Sequence, residues 1–313
     1  MTESFAFGTG SGLSFVHLPF VKFLDLPLLS FRNSMGSIFR NSTKRLGIQA
    51  RIWTFRDPDE AMSALDRQLE KGVPVGLQAG LHWLPYLTSR TRLHLNAHMV
   101  VAVGKTGKDY LLSDVVAGSI MPCPGKDLRM ARFSKGPMAP RGKMVIIEKL
   151  PGRVSGAYAA AQGIRSVSGT MLQPIFPWIG VKGIRFLANR LERWPETLGE
   201  EESRRHLGHI ILMQEDVGTG GAGFRYMFAA FLQEAAGILK EERLQGLSAR
   251  MTSTGDQWRA FAVQAARLCS GRSHHGESFV SMAALMRCIA GEEEAIYREL
   301  RKIAPKIRSR EAA

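Results

Sequence analysis

The periodicity of apolar residues changes at Pro151 and Gly152, and this change constrains the fold more than any other feature of the sequence. Before it, short segments alternate or run apolar in the way that strands do. After it, apolar residues recur at helical spacing almost to the end of the chain. A chain of 313 residues is long enough for two domains. We therefore predict an α+β domain over residues 1–150, with a mainly antiparallel sheet, followed by an all-α helical domain over residues 151–313.

Local signals divide both halves into shorter elements. The predicted strands are residues 48–55, 73–80, 98–104, 109–114 and 143–150. One helix is predicted over 36–47, and another begins after Asp57, which caps it ahead of Pro58. Residues 13–31 are apolar but interrupted by prolines and charges, so we expect buried irregular chain with short extended pieces and no membrane-spanning segment. The helices predicted in the second half are 153–168, 180–193, 201–213, 222–241, 255–269 and 278–303.

The composition excludes several classes of protein. Three cysteines, none in a C-x-x-C pair, exclude a disulfide framework and argue against structural zinc, which indicates a reducing, cytoplasmic location. The net charge of +14 indicates attraction to polyanions such as nucleic acid, anionic lipid or an acidic protein, although a solvated basic surface explains it equally well. Because the sequence has no helix-turn-helix, zinc or RNA-binding signature, we expect no nucleic-acid partner.

The segment with the clearest chemical pattern runs from His98 to Asp114. His98 opens a predicted strand, and a predicted hairpin turn at 105–108 returns the chain so that Asp114 ends the neighbouring strand. Paired residues on adjacent strands lie about 5 Å apart, so the two side chains can meet on one face. A carboxylate on one imidazole nitrogen fixes the tautomer and leaves the other nitrogen to take a proton from a nucleophile. The spacing equally allows a buried structural histidine beside an aspartate that caps a turn.

Short motifs occur along the chain in a specific order. They are Phe5–Leu13, Leu46–Ile48, Asp57–Ala61, Gly72–Val75, Trp83–Tyr86, Asn96–Val101, Ser113-Asp114, Gly180–Arg185, Trp194-Pro195 and Gly218–Arg225. In this order they resemble the butirosin biosynthesis protein H family. The resemblance implies a papain-like, C39-peptidase-like N-terminal domain followed by a helical domain of unknown function.

The resemblance also implies an acyltransferase that moves an acyl group from an acyl carrier protein thioester to an amine or hydroxyl of a small-molecule acceptor, in specialised or lipid-like metabolism. His98 matches the family's histidine and Asp114 its acidic partner, both acting with a cysteine nucleophile. No bound cofactor is implied, because the phosphopantetheine arrives on the carrier. A homodimer is left open.

The family's nucleophile belongs to a His-Cys motif that opens a helix upstream of the segment matched by Gly8–Gly12, which would place it before Met1. None of the cysteines of this chain takes its place by motif; they are Cys123, Cys269 and Cys288. We therefore expect either a nucleophilic helix encoded upstream or a chain without the nucleophile. We also expect apolar surface, or low stability, where that helix would cover the sheet.

The predicted substrate-binding residues are Ser11, Asn96, Trp83, Tyr86 and Arg225. Four of them have a structural alternative: close backbone packing around Ser11, a packed loop at Trp83 and Tyr86, and a helix start at Arg225 in place of a pantetheine-phosphate contact. Asn96 could replace Asp114 as the partner of His98 only by unusual geometry, because residues 96 and 98 share one strand. His94 and His98 share a strand face, but no third ligand is evident and no metal is expected. The rival functions are a non-catalytic relative that binds carrier protein and a cysteine-type peptidase or amidohydrolase.

Overall fold

The computed structural model describes residues 1–23, 25–88, 95–136, 138–151, 156–217 and 221–303. The chain divides into two compact units: Ile48–Pro151, and Met1–Gly47 together with the described part of Gly152–Ala313. The α+β class, with a mostly antiparallel sheet and a helical C-terminal part, is confirmed. Within the described ranges, no helix combines the length and the apolar character needed to cross a membrane.

The division differs from the predicted boundary at residue 150, because the first 47 residues belong to the helical unit. The reason is aromatic packing. Phe15 and Phe31 both lie against Trp258, with ring centroids 6.3 and 5.4 Å apart. Gly8 lets the backbone at this position lie directly against the ring of Phe231, because a Cβ there would fall 2.0 Å from the ring. The apolar N-terminal sequence therefore finds its core among the helices.

The N-terminal segment forms α1 (Glu3–Thr9), a hairpin of β1 (Leu13–Phe23) and β2 (Leu26–Arg32), and α2 (Met35–Arg45). Buried irregular chain with short extended pieces was expected over 13–31; extended segments are found, but they are two paired strands and not irregular chain. The prolines that suggested it lie where the pairing is irregular: Leu18 pairs with Leu28 but Lys22 pairs with Pro27. Proline is tolerated at such bulges because no ladder hydrogen bond is required there.

The second unit is a six-stranded sheet in the order β3-β8-β4-β5-β6-β7, with every neighbouring pair antiparallel. Its elements are β3 (Gln49–Trp53), α3 (Pro58–Leu69), β4 (Val75–Ala79), β5 (His98–Thr106), β6 (Asp109–Asp114), β7 (Ser119–Pro124), α4 (Gly125–Arg132) and β8 (Met144–Lys149). The sequence did not predict β7, because Pro122 and Pro124 read as loop. This strand lies at the edge of the sheet, where proline is accepted.

One face of the sheet forms the core of this unit. Leu77, Val100 and Leu112 point into it, and Leu65 of α3 and Leu128 of α4 cover them. Burying each such side chain contributes about 1.5–3 kcal/mol. Other strand residues are exposed although they are apolar. They are Ile52, Val101, Ile120 and Ile147.

Over its described residues the helical unit continues with six α-helices, in agreement with the six predicted. They are α5 (Gly156–Leu172), α6 (Gly180–Leu198), α7 (Glu200–Ile211), α8 (Arg225–Leu239), α9 (Arg243–Cys269) and α10 (Phe279–Ile303). α9 begins at Arg243 and not at the predicted 255, because the helix accommodates the polar and small residues of its first half. Thr254 donates to the Arg250 carbonyl at 2.9 Å, and Gly255 leaves room for the ring of Tyr226.

Candidate functional site

The register of β5 and β6 brings His98 and Asp114 together. Val101 pairs with Ser113 and Ala102 with Leu112, so the next pair places Asp114 opposite Val100. His98 lies two residues before Val100 and therefore on the same face. Diagonal neighbours of this kind are within reach of each other when one side chain is long.

The two side chains form a close pair. His98 Nε2 lies 2.8 Å from Asp114 Oδ2. The carboxylate is fully buried, whereas the imidazole keeps 11% of its surface exposed. Because the ionised carboxylate is an acceptor, Nε2 carries the shared proton and Nδ1 presents its lone pair. Within the described part of the chain, Nδ1 has no hydrogen-bond partner that would occupy it.

Asp114 is held in its ionised form by three donors. Burial raises the pKa of this carboxyl, but hydrogen bonds from His98, the Val116 amide and Tyr86 outweigh burial, and the pKa is lower than usual. The Val116 amide donates to Oδ1 at 2.9 Å, and the Tyr86 hydroxyl donates to Oδ2 at 2.8 Å. Both carboxylate oxygens are therefore occupied, which fixes the plane of the carboxylate and with it the imidazole.

Tyr86, predicted to line an acyl pocket, makes a contact that the sequence did not reveal. Its hydroxyl points at Asp114, and burial followed by the hydrogen bond to this carboxylate raises the pKa of the phenol, so it stays a donor. In the sequence, Tyr86 stood out only as part of the Trp83–Tyr86 motif. Its hydrogen bond to Asp114 could not be predicted, because the two residues are 28 positions apart and no local pattern joins them. Trp83 packs beside the core and meets the His82 ring edge-on at 5.2 Å.

Asn96 is buried and serves the backbone around it. Its amide nitrogen donates to the Lys135 carbonyl at 3.0 Å, and its side-chain oxygen accepts from the Ser134 hydroxyl at 2.7 Å. Its own carbonyl accepts from Gln78 Nε2 at 2.8 Å. This placement ties the chain before β5 to the loop after α4 and does not fit the predicted contact with substrate.

Ser11 and Arg225 also have internal partners. Ser11 is buried with a positive φ of 58°, and its hydroxyl accepts from Arg45 Nη1 at 2.6 Å. Arg225 has no exposed surface; its Nε and Nη2 donate to the Glu293 carboxylate at 2.8 and 3.0 Å, and its Nη1 donates to the Gly223 carbonyl. An anion from solvent cannot reach these donors, so the predicted phosphate contact at Arg225 does not fit.

Two candidate sites, the His94 and His98 pair and the glycine-rich loop before Arg225, include residues outside the described ranges. His94 lies there, as do Gly218–Gly220 of the glycine-rich loop. Among the residues that are described, no group of three or more histidine, cysteine or acidic side chains is arranged to hold a metal ion.

Cys123 and Cys269 are not arranged as activated nucleophiles. Cys123 is fully buried in β7, and burial, with Asp127 and Asp109 nearby, raises the pKa of its thiol to about 12. Its Sγ is 3.8 Å from the Pro124 carbonyl. Cys269 ends α9, where burial raises its pKa, and Cys288 lies exposed on α10. A thiol that stays protonated at neutral pH is a poor nucleophile.

Comparisons with known proteins cover both halves of the chain. The family described as butirosin biosynthesis protein H, N-terminal, matches residues 1–115, and the family described as Domain of unknown function (DUF4872) matches residues 126–300. A search of curated proteins finds no match.

Among solved structures, the chain is similar to one described as that of a C39-like peptidase from Bacillus anthracis, with 16% identity and a TM-score of 0.29. The match covers 40% of this chain and 64% of the other, so the chain spans just under two thirds of that structure. Because residues 126–300 are more than half of the 313, the chain belongs to the DUF4872 family, and its N-terminal part is of the butirosin biosynthesis protein H type.

Proposed function

We propose that this protein transfers an acyl group from an acyl carrier protein thioester, through a cysteine thiol, to an amine or hydroxyl of a small-molecule acceptor. The observation that carries the proposal is the hydrogen-bonded series Tyr86–Asp114–His98, in which a buried carboxylate orients an imidazole that is partly open to solvent. A base held by an orienting carboxylate is the arrangement that nucleophilic acyl transfer requires.

In the proposed mechanism, His98 Nδ1 takes the proton of the cysteine thiol, and the thiolate attacks the carbonyl carbon of the thioester. The bond from this carbon to the carrier's pantetheine sulfur breaks, and His98 returns the proton to that sulfur. The acceptor amine or hydroxyl then attacks the acyl-enzyme, gives its proton to His98, and the cysteine thiol re-forms. Asp114 stays ionised throughout and stabilises the imidazolium.

The proposal takes the thiol from the His-Cys motif that precedes the segment matching Gly8–Gly12 in the family. Cys123 is a poor substitute, because it is buried in an edge strand with a raised pKa. The phosphopantetheine belongs to the carrier, and the protein itself needs no bound cofactor in this scheme. A cytoplasmic location, where thiols stay reduced, suits the chemistry.

The test uses the protein expressed from its complete reading frame, including any codons upstream of Met1. It is incubated with carrier protein loaded with a radiolabelled acyl group, and intact mass detects the acyl-enzyme. We expect the mass to rise by one acyl group, and His98→Ala to abolish the rise. Cys123→Ala is the matched control among the cysteines and should leave the rise unchanged.

Two results would contradict the proposal. Stable binding of the loaded carrier without any acyl-enzyme would indicate a non-catalytic carrier-binding relative. Release of the free acid with no transfer to any amine or hydroxyl acceptor would indicate a cysteine-type peptidase or amidohydrolase.

A further inference from the structure

An exposed apolar patch in the helical unit joins the β1–β2 hairpin to the segment between α5 and α6. We call it the aromatic tip; it consists of Phe20, Val21, Ile175, Phe176 and Trp178. Ile175 is 92% exposed, Phe20 65% and Phe176 49%. Single exposed apolar residues are ordinary, but a contiguous group of large ones marks an interaction surface.

The tip is held outward by its own backbone. The pairing of β1 with β2 jumps from Leu18 to Lys22, so Phe20 and Val21 lie in a bulge with no partner across the hairpin. The segment that carries Trp178 is fixed beside β1, because the His17 amide donates to the Trp178 carbonyl at 2.9 Å. Bulges of this kind redirect side chains, and here they direct apolar ones into solvent.

The rings of the tip pack on one another. Phe176 stacks on Trp178 with centroids 5.2 Å apart and planes 6° apart, and Phe20 meets the same ring edge-on at 5.2 Å and 82°. The three rings are therefore ordered before any partner arrives. Ordering them in advance lowers the entropy that binding would cost.

Basic side chains flank the tip. Lys22 follows the bulge directly and is exposed, and Lys182 is exposed in the first turn of α6. That turn lies against the tip, since a Cβ on Gly183 would fall 2.6 Å from the Trp178 carbonyl group. In the described ranges neither lysine forms an ion pair, and the one acidic residue at the hairpin turn is Asp25. The whole chain carries +14.

We propose that the aromatic tip docks on the surface of an anionic lipid membrane. Projecting aromatic and aliphatic side chains enter the boundary between headgroups and acyl chains, where tryptophan is favoured, while flanking lysines contact anionic headgroups. Charge complementarity favours this occupant over a second copy, because two copies would each bring +14. The contact is peripheral, and it does not rest on the proposed acyl transfer.

The test is flotation of the full chain with vesicles of phosphatidylcholine alone and of an equimolar mixture of phosphatidylcholine and phosphatidylglycerol. We expect binding to the anionic vesicles only, weakened by salt. The variant Phe20→Ser, Ile175→Ser, Phe176→Ser should lose about tenfold or more in affinity. Lys22→Gln and Lys182→Gln should each lose about fivefold at low salt. Val280→Ser, at a position 57% exposed on α10, is the matched control and should bind like the wild type.

A second readout locates the contact by fluorescence and keeps an aromatic ring at every aromatic position of the tip. Brominated lipids in the anionic vesicles should quench the tryptophan fluorescence of the wild type, and Trp178→Phe should remove most of that quenching. The proposal is overturned if the wild type does not float with anionic vesicles, or if the triple serine variant floats as well as the wild type. If the wild type does not bind vesicles, light scattering shows what the tip does instead. A molar mass that is lower for the triple serine variant than for the wild type would mean that the tip joins two copies of the chain.

Discussion

Acid should destabilise the helical unit through one buried histidine, His17 of β1. Both of its ring nitrogens are buried and lack a hydrogen-bond partner among the described residues. Burial, and then the positive charge of Arg190 on α6 and of His206 and His209 on α7, lowers its pKa from 6.5 to about 4. The native state therefore holds this ring neutral.

The sign and size of the effect follow from the two pKa values. The unfolded chain binds a proton at this ring below a pKa of 6.5, whereas the folded chain resists it down to about 4. The stabilisation from the neutral ring is complete above pH 6.5 and is lost as the pH falls through that window. The difference of about 2.5 pH units corresponds to about 3 kcal/mol of unfolding free energy.

The assay is urea unfolding of the full chain at about pH 7 and about pH 4, followed by circular dichroism. The leucine of His17→Leu cannot be protonated. On going from about pH 7 to about pH 4, the free energy of unfolding of this variant should therefore fall by about 3 kcal/mol less than that of the wild type. His274→Gln, at an exposed position, is the matched control and should behave like the wild type. Equal losses in the wild type and His17→Leu would refute the reasoning, because the acid sensitivity would then come from other groups.

Three further predictions concern the site and the core. Asp114→Asn should slow acyl-enzyme formation by about two to four orders of magnitude, since the amide no longer stabilises an imidazolium, as single-turnover kinetics would show. Tyr86→Phe keeps the ring but removes a donor that lowers the Asp114 pKa, so the acidic limb of the pH–rate profile should move to higher pH; an unmoved limb would contradict this role. Glu293→Gln leaves Arg225 buried without its counter-charge and should cost about 3–5 kcal/mol in urea unfolding, whereas replacing both by Met and Leu should cost clearly less.

The relation between His98 and Asp114 was predictable because it is local. A strand, a short turn and a returning strand fix which residues share a face, and sixteen residues separate the two side chains. The same holds for α3, where Asp57 accepts from the Glu60 amide as its capping position predicts. Both features depend on residues that are close in the chain, so the alternation of apolar residues in strands and the capping pattern of helices predict them.

Long-range contacts account for what the sequence did not reveal. Arg225 after a glycine-rich loop resembled an anion site, but its partner Glu293 lies 68 residues away, where no local pattern points to it. Tyr86 reaches Asp114 only through the return of a loop. The N-terminal 47 residues belong to the helical unit because their aromatic side chains pack there. The periodicity of apolar residues predicts helices and strands, but it does not predict which unit a segment packs against.

The measurement that tests the account most directly is the intact mass of the protein, expressed from its complete reading frame, after incubation with acyl-loaded carrier protein. We predict an increase of one acyl group on a cysteine, absent in His98→Ala and strongly slowed in Asp114→Asn. A wild-type mass that does not change, or an increase that persists unchanged in His98→Ala, would contradict the role assigned to the His98–Asp114 pair.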